Sequence, residues 1–553
     1  MGKLKTVCLL GLILFIFSCK KGGNSTGVTP APASFSFNAL KVNGVFNGFT
    51  YKGTNLSPVI TLSFSAAIDH ASISNNLSFK SSAGSIVAFT PIYSNNDSTI
   101  TITPSALSPL TQYSVSILTG LKSAGGGNLQ SAVTINLATA IDSTNKFPVI
   151  TDDQLLTLVQ QQTFKYFYDF GHPVSGLARE RNTSGDIVTM GGSGFGIMAL
   201  VTGVSRAFIT RAQGLARMQT IVGFLKNNAQ TFHGAFPHWM NGQTGAVVPF
   251  STQDDGADLV ETAFLMEGLL TARQYFNDSG IAETNLRADI TSLYNNVEWT
   301  WFQNGQNTLF WHWSPNFGWT SNMQINGWDE ALITYVLAAS STTHPIAKAV
   351  YDNGWALNGG FKNGATFYGV QLPLGPALGG PLFFEHYSFL GINPNGLKDA
   401  YASYDVQAKT HATINYNYCV ANPLGNYGYS SDCWGLTASD IANGYTASSP
   451  TNDVGVIAPT AAIASMPYTP VESLKALRFF YYKLGDKLWG NYGFYDSFNL
   501  NNPWFASSDL AIDEGPIVDM IENYRTGLLW NLFMSNPEVK TGMKNLGFQS
   551  PNL

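Results

Sequence analysis

Charge is what this chain of 553 residues has least of: Lys, Arg, Asp and Glu make up 12% of it, about half the roughly 25% usual in soluble domains. A formal net charge of -6 and a pI near 5.7 leave no basic footprint, which argues against nucleic acid as a partner. Cysteine is nearly missing, at 4 residues, and the 8 histidines fall into no metal-ligand spacing. Neither a disulfide framework nor a zinc site is therefore expected, and no cofactor is implied. His233 and His238, in a Gly- and Pro-containing stretch, read as ordinary loop residues. A His-Glu-x-x-His helix is absent, as is a Gly-x-Ser-x-Gly elbow near a suitable His, so zinc-hydrolase and serine-hydrolase chemistry are set aside. The glycine run Gly191-Gly192-Ser193-Gly194-Phe195-Gly196 follows no readable strand and is not taken for a phosphate loop. What the chain does have is aromatic rings: 12 Trp, 24 Tyr and 36 Phe. A surface poor in charge must be built from neutral polar groups and such rings, which favours a neutral polar ligand over an ionic one.

Residues 1–19 read as a processing segment. Lys3 and Lys5 precede an apolar run from Val7 to Phe17 that is too short to span a bilayer but fits a signal peptide. Ile16-Phe17-Ser18-Cys19 resembles a bacterial lipoprotein cleavage box. That resemblance implies a lipidated Cys19 and a cell-envelope location, periplasmic or on the outer-membrane surface, with the lipid as the only membrane contact. Lys20-Lys21-Gly22-Gly23 follows without an acidic run, which inclines the expectation to the periplasm-facing side. Residues 20–34 read as a flexible tether. Over 35–141 the signal is β: Val59-Ile60-Thr61-Leu62-Ser63-Phe64, Thr99-Ile100-Thr101-Ile102 and Tyr113-Ser114-Val115-Ser116-Ile117 alternate between turn clusters. About seven such runs predict a small β-sandwich. Leu62-Ser63-Phe64-Ser65 with Thr103-Pro104 resembles a bacterial Ig-like domain, a kind that acts mainly as a spacer or adhesive module.

After a linker over 142–151, residues 152–553 read as helical. Asp152-Asp153 opens a helix, and further ones are expected near 194–208, 210–228, 257–276, 282–302, 329–339, 396–418, 470–484 and 516–533. About a dozen helices with long aromatic loops and no internal repeat predict an α/α toroid rather than a solenoid. The fold class is thus mainly α, a toroid preceded by a small β-sandwich. Cys419 and Cys433 either pair or stay as buried free thiols.

Two acidic places stand out. Read as one helix, Asp254, Asp258 and Glu261 share a face through spacings of four and three. Helix capping explains Asp254 or Asp255 and partly Asp258; it does not explain Glu261 beside Val260 and Phe264. Glu330 opens a helix after the aromatic loop Trp311-His312-Trp313-Ser314-Pro315, a setting where desolvation keeps a carboxyl protonated, as a general acid requires. Aromatic loops recur at Phe384-Glu385-His386-Tyr387, Cys433-Trp434-Gly435, Tyr492-Gly493-Phe494-Tyr495 and Asn502-Pro503-Trp504-Phe505. Rings that stack on sugar faces, together with paired carboxyls, point to glycoside hydrolysis.

Trp311-His312-Trp313-Ser314-Pro315, Gly327-Trp328, His386-Tyr387-Ser388-Phe389-Leu390-Gly391, Cys433 to Asp440, Ile457-Ala458-Pro459-Thr460-Ala461, Asp513-Glu514-Gly515-Pro516 and Ile521-Glu522-Asn523-Tyr524-Arg525 occur in order. In them, the stretch from about 152 to 535 resembles the bacterial glycoamylase-like family, whose studied members include endo-β-1,2-glucanases. The resemblance implies a six-hairpin (α/α) toroid and inversion of configuration. It places the acidic pocket on Asp254, Asp258, Glu261 and Glu330, with Glu330 as general acid. Asp258 or Glu261 is implied as base, and Asp513 is a third option. It implies Trp311, Trp313, His386, Tyr387, Trp434, Asp453 and Arg525 as sugar-binding residues. Glu385 and Asp519 depart from the family pattern, which has a smaller neutral residue and an apolar one there; Glu385, beside His386-Tyr387, is expected to alter subsite specificity. The expected activity is internal cleavage of β-1,2-glucan to sophoro-oligosaccharides by a monomer. An exo-acting, sophorose-releasing hydrolase and a non-catalytic glycan-binding surface protein are the alternatives.

Overall fold

A computed structural model describes residues 33–553. The signal segment, Cys19 and nearly all of the 20–34 tether lie outside the described residues. Eight strands form the N-terminal unit: β1 (Phe37–Val42), β2 (Thr50–Thr54), β3 (Ile60–Phe64), β4 (Leu77–Ser81), β5 (Phe89–Ser94), β6 (Thr99–Pro104), β7 (Gln112–Ile117) and β8 (Val133–Thr139). They make two four-stranded sheets, ordered β1-β3-β6-β5 and β2-β8-β7-β4. Alternation sets which face is inside: β3 buries Ile60, Leu62 and Phe64, and β7 buries Tyr113, Val115 and Ile117. Alternating runs number one fewer than the strands because β2, Thr-Tyr-Lys-Gly-Thr, buries a single large ring, Tyr51. The sandwich keeps its own core. It meets the helical part at Tyr427, whose ring lies against Gly53 and whose hydroxyl accepts the Ile141 N–H at 3.1 Å.

The helical part starts with Asp152–Tyr168, closed at its N-terminus by a capping box between Thr151 and Gln154. The helices Met190–Ser205 and Leu259–Tyr275 are buried along most of their length, so they are interior elements rather than amphipathic surface ones. Glycine lets them touch: a Cβ on Gly194 or on Gly268 would come within 2.1 Å of the opposite backbone. The glycine run therefore serves helix packing. A three-residue strand, Ile187–Thr189, does precede it, too short to register as periodicity. Met190–Ser205 also packs on Ala511–Thr526, which packs on Pro459–Ala464, while Leu259–Tyr275 packs on Leu332–Ser340.

Three expected helices depart from their periodicity. The helix expected near 282–302 is Ile281–Asn295, the one near 396–418 begins only at Tyr404 and runs Tyr404–Ala421, and the one near 516–533 is split into Ala511–Thr526 and Leu528–Met534 by Gly527 at φ 68°. Cys419 and Cys433 are buried free thiols, and burial pushes Cys419 up to about 12. Among the described residues no helix is long and apolar enough to cross a membrane.

Candidate active site

Several interior helices begin at one place. Thr189 and Asp258 are the N-cap residues of Met190–Ser205 and Leu259–Tyr275, Leu510 precedes Ala511–Thr526, and Glu330 lies two residues before Leu332–Ser340. Thr189, Glu261, Glu330, Leu510 and Ile512 line one cavity of about 430 Å³, with Tyr387 and His238 in its wall. Helix N-termini carry unpaired amides and the positive dipole end, so this is where clustered carboxylates are tolerated. The cavity continues in two directions. Arg181 and Tyr445 are shared with a neighbour of about 510 Å³ that reaches Asp440 and Trp504. His238 and Phe250 are shared with another of about 390 Å³ lined by Asp254, Trp311 and His312. Together they form a cleft with the two glutamates at its middle.

Asp254, Asp258 and Glu261 do converge, though not on one helix face. The helix begins only at Leu259; Asp258 is its cap, and Asp254 sits in the loop before it. Asp258 Oδ1 accepts the Val260 and Glu261 N–H groups at 3.0 and 2.9 Å, and Oδ2 lies 2.9 Å from His238 Nδ1. Short strand pairing sets Asp258 opposite His312, whose Nδ1 is 3.6 Å from Asp258 Oδ2 and 3.4 Å from Asp254 Oδ1. Glu261 Oε2 accepts the Gly191 N–H at 2.6 Å and the Thr189 hydroxyl at 3.3 Å, while Oε1 lies 3.9 Å from His238 Nε2.

These contacts sort the protonation states. Burial opposes charge on His238, but Glu261, Asp258 and Asp254 outweigh it and push the imidazole up to about 9. His312 is raised in the same way, against burial, by Asp254 and Asp258. Burial would raise Asp258, yet the two histidines and its amide donor hold it below the usual carboxylate range. Burial raises Glu261, with Asp258 adding to the effect and His238 opposing it. Glu330 goes furthest: burial, then Asp329, Glu261 and Asp258, lift it well above an ordinary carboxyl. Asp329 is itself pushed up to about 7 by burial.

The His238, Asp254 and Asp258 donor atoms lie within 4.8 Å of one another and could hold a cation. His238, raised to about 9, already places positive charge there, and His312 is raised beside it. His238 and His312 are the functional residues that sequence reading passed over. Their only sequence signal was proximity to other marked residues, His312 between Trp311 and Trp313, and His238 beside an aromatic.

Of the expected sugar-binding residues, the structure brings Trp311 and Tyr387 to the cleft. The others are elsewhere. His386 is 1% exposed with Nε2 3.0 Å from Ser465 Oγ, and burial next to His411 drives it down to about 3. Trp434 is wholly buried and donates Nε1–H to the Glu472 carbonyl. Trp313 packs among Phe232, His233 and Trp301. Asp453 gathers the Tyr418 and Tyr429 hydroxyls and the Gly455 N–H into a loop clasp. Arg525 ties its helix to the first one through Thr157, Gln160 and Asp153. His386, Trp434, Asp453 and Arg525 thus spend polar atoms on protein partners, and Trp313 packs its ring on other rings. Asp513 is sealed beside Asp496; burial and that neighbour raise it well above a normal carboxyl. Glu385 is sealed too, so it touches no sugar directly.

Residues 322–537 match the family described as "Putative glucoamylase", and residues 39–139 match the bacterial Ig-like domain family. The structure superposes on a crystal structure of a "putative glucoamylase" from Bacteroides uniformis with a TM-score of 0.73 and 56% identity, covering 74% of this chain and 100% of that one. The chain belongs to the glycoamylase family. Within it, an endo-β-1,2-glucanase from Chitinophaga pinensis, solved with sophorotriose and glucose, is 49% identical with a TM-score of 0.72, covering 73% of this chain and all of that one. An exo β-1,2-glucooligosaccharide sophorohydrolase (non-reducing end) from Parabacteroides distasonis is 46% identical over 428 residues, 73% of this chain. This chain spans 59% of that relative's length.

Proposed function

We propose that this glycoamylase-family protein is an inverting glycoside hydrolase that cuts β-1,2-glucan within the chain, with Glu330 as general acid. The observation that carries the reading is the shared cavity: Glu330, with its carboxyl raised, faces the same 430 Å³ space as Glu261. A protonated Glu330 delivers its proton to the glycosidic oxygen as the bond to the anomeric carbon breaks. On the opposite face a water attacks, giving up its proton to Glu261. Oε2 of Glu261 is engaged by Gly191 and Thr189, leaving Oε1 toward His238 and the cavity. Asp258 is unsuited to that step because the helix cap and His238 occupy both of its oxygens; its role is to hold charge on His238. The linkage comes from the relatives, whose names specify β-1,2-glucan and β-1,2-glucooligosaccharide.

Internal cleavage is supported by the cleft continuing on both sides of the glutamates. Exo action is the second reading, favoured by the exo-acting Parabacteroides relative. The six-hairpin toroid belongs to the same proposal, as does a lipid anchor at Cys19. Incubation with linear β-1,2-glucan followed by product chromatography tests the function. Mixed sophoro-oligosaccharides are expected; sophorose alone means exo action, and intact polymer means a binding protein. Glu330→Gln should abolish turnover while polymer binding persists. Products appearing first as the β-anomer by NMR would contradict inversion.

A further inference from the structure

Among the buried carboxyls that the mechanism leaves unused, Glu385 lies nearest in sequence to the cleft residue Tyr387. Glu385 is 0% exposed, and its Oε1 accepts three hydrogen bonds: Trp328 Nε1–H at 2.9 Å, the Gln407 amide at 2.7 Å and His411 Nδ1 at 3.0 Å. His411 is equally sealed, and its Nε2 lies 3.1 Å from the Gly380 carbonyl. Both ring nitrogens thus face oxygen atoms, and the ring is fixed between the Glu385 carboxyl and the Gly380 carbonyl. The Glu385 carbonyl is held in turn by the Tyr468 hydroxyl at 2.9 Å. A carboxyl and an imidazole buried together are a poor source of stability, because desolvation offsets most of what they gain from each other. Their presence behind the cleft wall calls for another reason.

That reason lies in what the pair grips. Trp328 is two residues before Glu330, is 5% exposed, and has its ring set among Trp355, Phe389 and Tyr404 at centroid distances of 6.0, 6.3 and 5.8 Å. Three residues after Glu385, Ser388 donates its hydroxyl to the Glu330 backbone carbonyl and accepts the Ile333 N–H at 3.0 Å. One short segment, 385–388, therefore clamps the Glu330 loop twice: through the indole before it and through its own carbonyl. The loop needs this. Leu332–Ser340 has no side-chain cap, and Gly327 turns the chain at φ 85°, so helix formation alone does not fix where the Glu330 carboxyl points.

We infer that Glu385, anchored by His411 and Gln407, is a positioning residue that holds Glu330 in place through the Trp328 indole N–H. The inference rests on the reading of Glu330 as general acid. Positioning errors near 1 Å can cost on the order of 100-fold in rate, and the effect must fall on proton delivery rather than on glucan binding.

The test compares two substrates in the full-length protein: linear β-1,2-glucan, whose leaving group needs protonation, and 2,4-dinitrophenyl β-sophoroside, whose leaving group does not. Trp328→Phe, which keeps the ring and deletes the donor, and Glu385→Ala should each lower kcat on glucan about 10- to 100-fold. KM should stay unchanged, and dinitrophenol release should be near wild type. Glu385→Gln, which retains an oxygen for the indole, should recover most of the loss. Glu330→Gln is the reference: dead on glucan, active on the aryl substrate. If Trp328→Phe and Glu385→Ala lose equally on both substrates while Glu330→Gln shows the split, the pair is merely structural and the inference is overturned. No loss on glucan overturns it as well. If Glu330→Gln loses equally on both, the general-acid assignment itself falls, a separate result. Should Glu385→Ala fail to fold, Trp328→Phe carries the comparison alone.

Discussion

Replacing His238 with Gln removes the cation that three carboxylates share, and the structure sets the size and pH course of the effect. The imidazole is pushed from its usual 6.5 up to about 9 in the fold. A folded value above the unfolded one means that the stabilisation is complete below pH 6.5 and is lost as pH rises through 9. The gap of about 2.5, at about 1.4 kcal/mol per pH unit, corresponds to an upper bound of about 3.5 kcal/mol. The ring has only 22% of its side chain exposed, so solvent screening takes little from this. All 12 Trp lie at or beyond residue 239, so tryptophan fluorescence reports the helical part without interference from the sandwich. Urea unfolding of wild type and His238→Gln should therefore differ by up to about 3.5 kcal/mol at pH 6, and the two should converge by pH 10. A difference that stays constant across pH 6–10 would refute the charge-sharing argument and leave only lost packing on Phe250. A difference that grows with pH would reverse its sign and remove the carboxylates as the cause.

Two further outcomes separate core residues from cleft residues. Trp434→Ala should destabilise by about 3–5 kcal/mol, as a filled core position does, and leave KM unchanged. Trp311→Ala, in the cleft wall, should raise KM with little change in the urea midpoint. Gly191→Ala places a Cβ 2.8 Å from Glu261 Oε2 and 3.0 Å from the Phe264 ring. It should cut kcat on glucan at least tenfold through Glu261, as judged by initial rates at saturating polymer.

Much of the fold was legible because it follows local periodicity. The alternation in β3, β6 and β7 places the sandwich, and helices such as Asp152–Tyr168, with its capping box, fall where their apolar spacing and caps put them. Where backbone conformation overrode periodicity, the sequence reading ran past the end: Gly527 in the left-handed region stops one helix inside an unbroken apolar pattern. Asp258 shows the same limit. Its spacing to Asp254 and Glu261 fits a helix face, but as an N-cap with extended backbone it reaches its neighbours by another route. Residue type identified Trp311 and Tyr387 as readily as His386, Trp434 and Arg525; only burial and partner geometry separate them, because an aromatic or charged side chain has the same composition in a wall and in a cleft.

By itself the sequence pointed to the two-part organisation, the helical class of the larger part, and four candidate carboxyls. Those depend on pattern and on the rarity of charge in this chain. Tertiary structure alone decided that His238 and His312 stand among the carboxylates, that Glu330 and Glu261 face one cavity, and that Glu385 lies behind the wall rather than in it. Contacts between residues far apart in the chain set those placements: a two-residue strand pairing puts Asp258 opposite His312, and two buried helices cross on glycine. Periodicity within a segment carries no information about which distant segment it will meet. The protonation states that would make the site a catalyst follow from those meetings, since burial and neighbouring charge exist only once the chain has closed on itself.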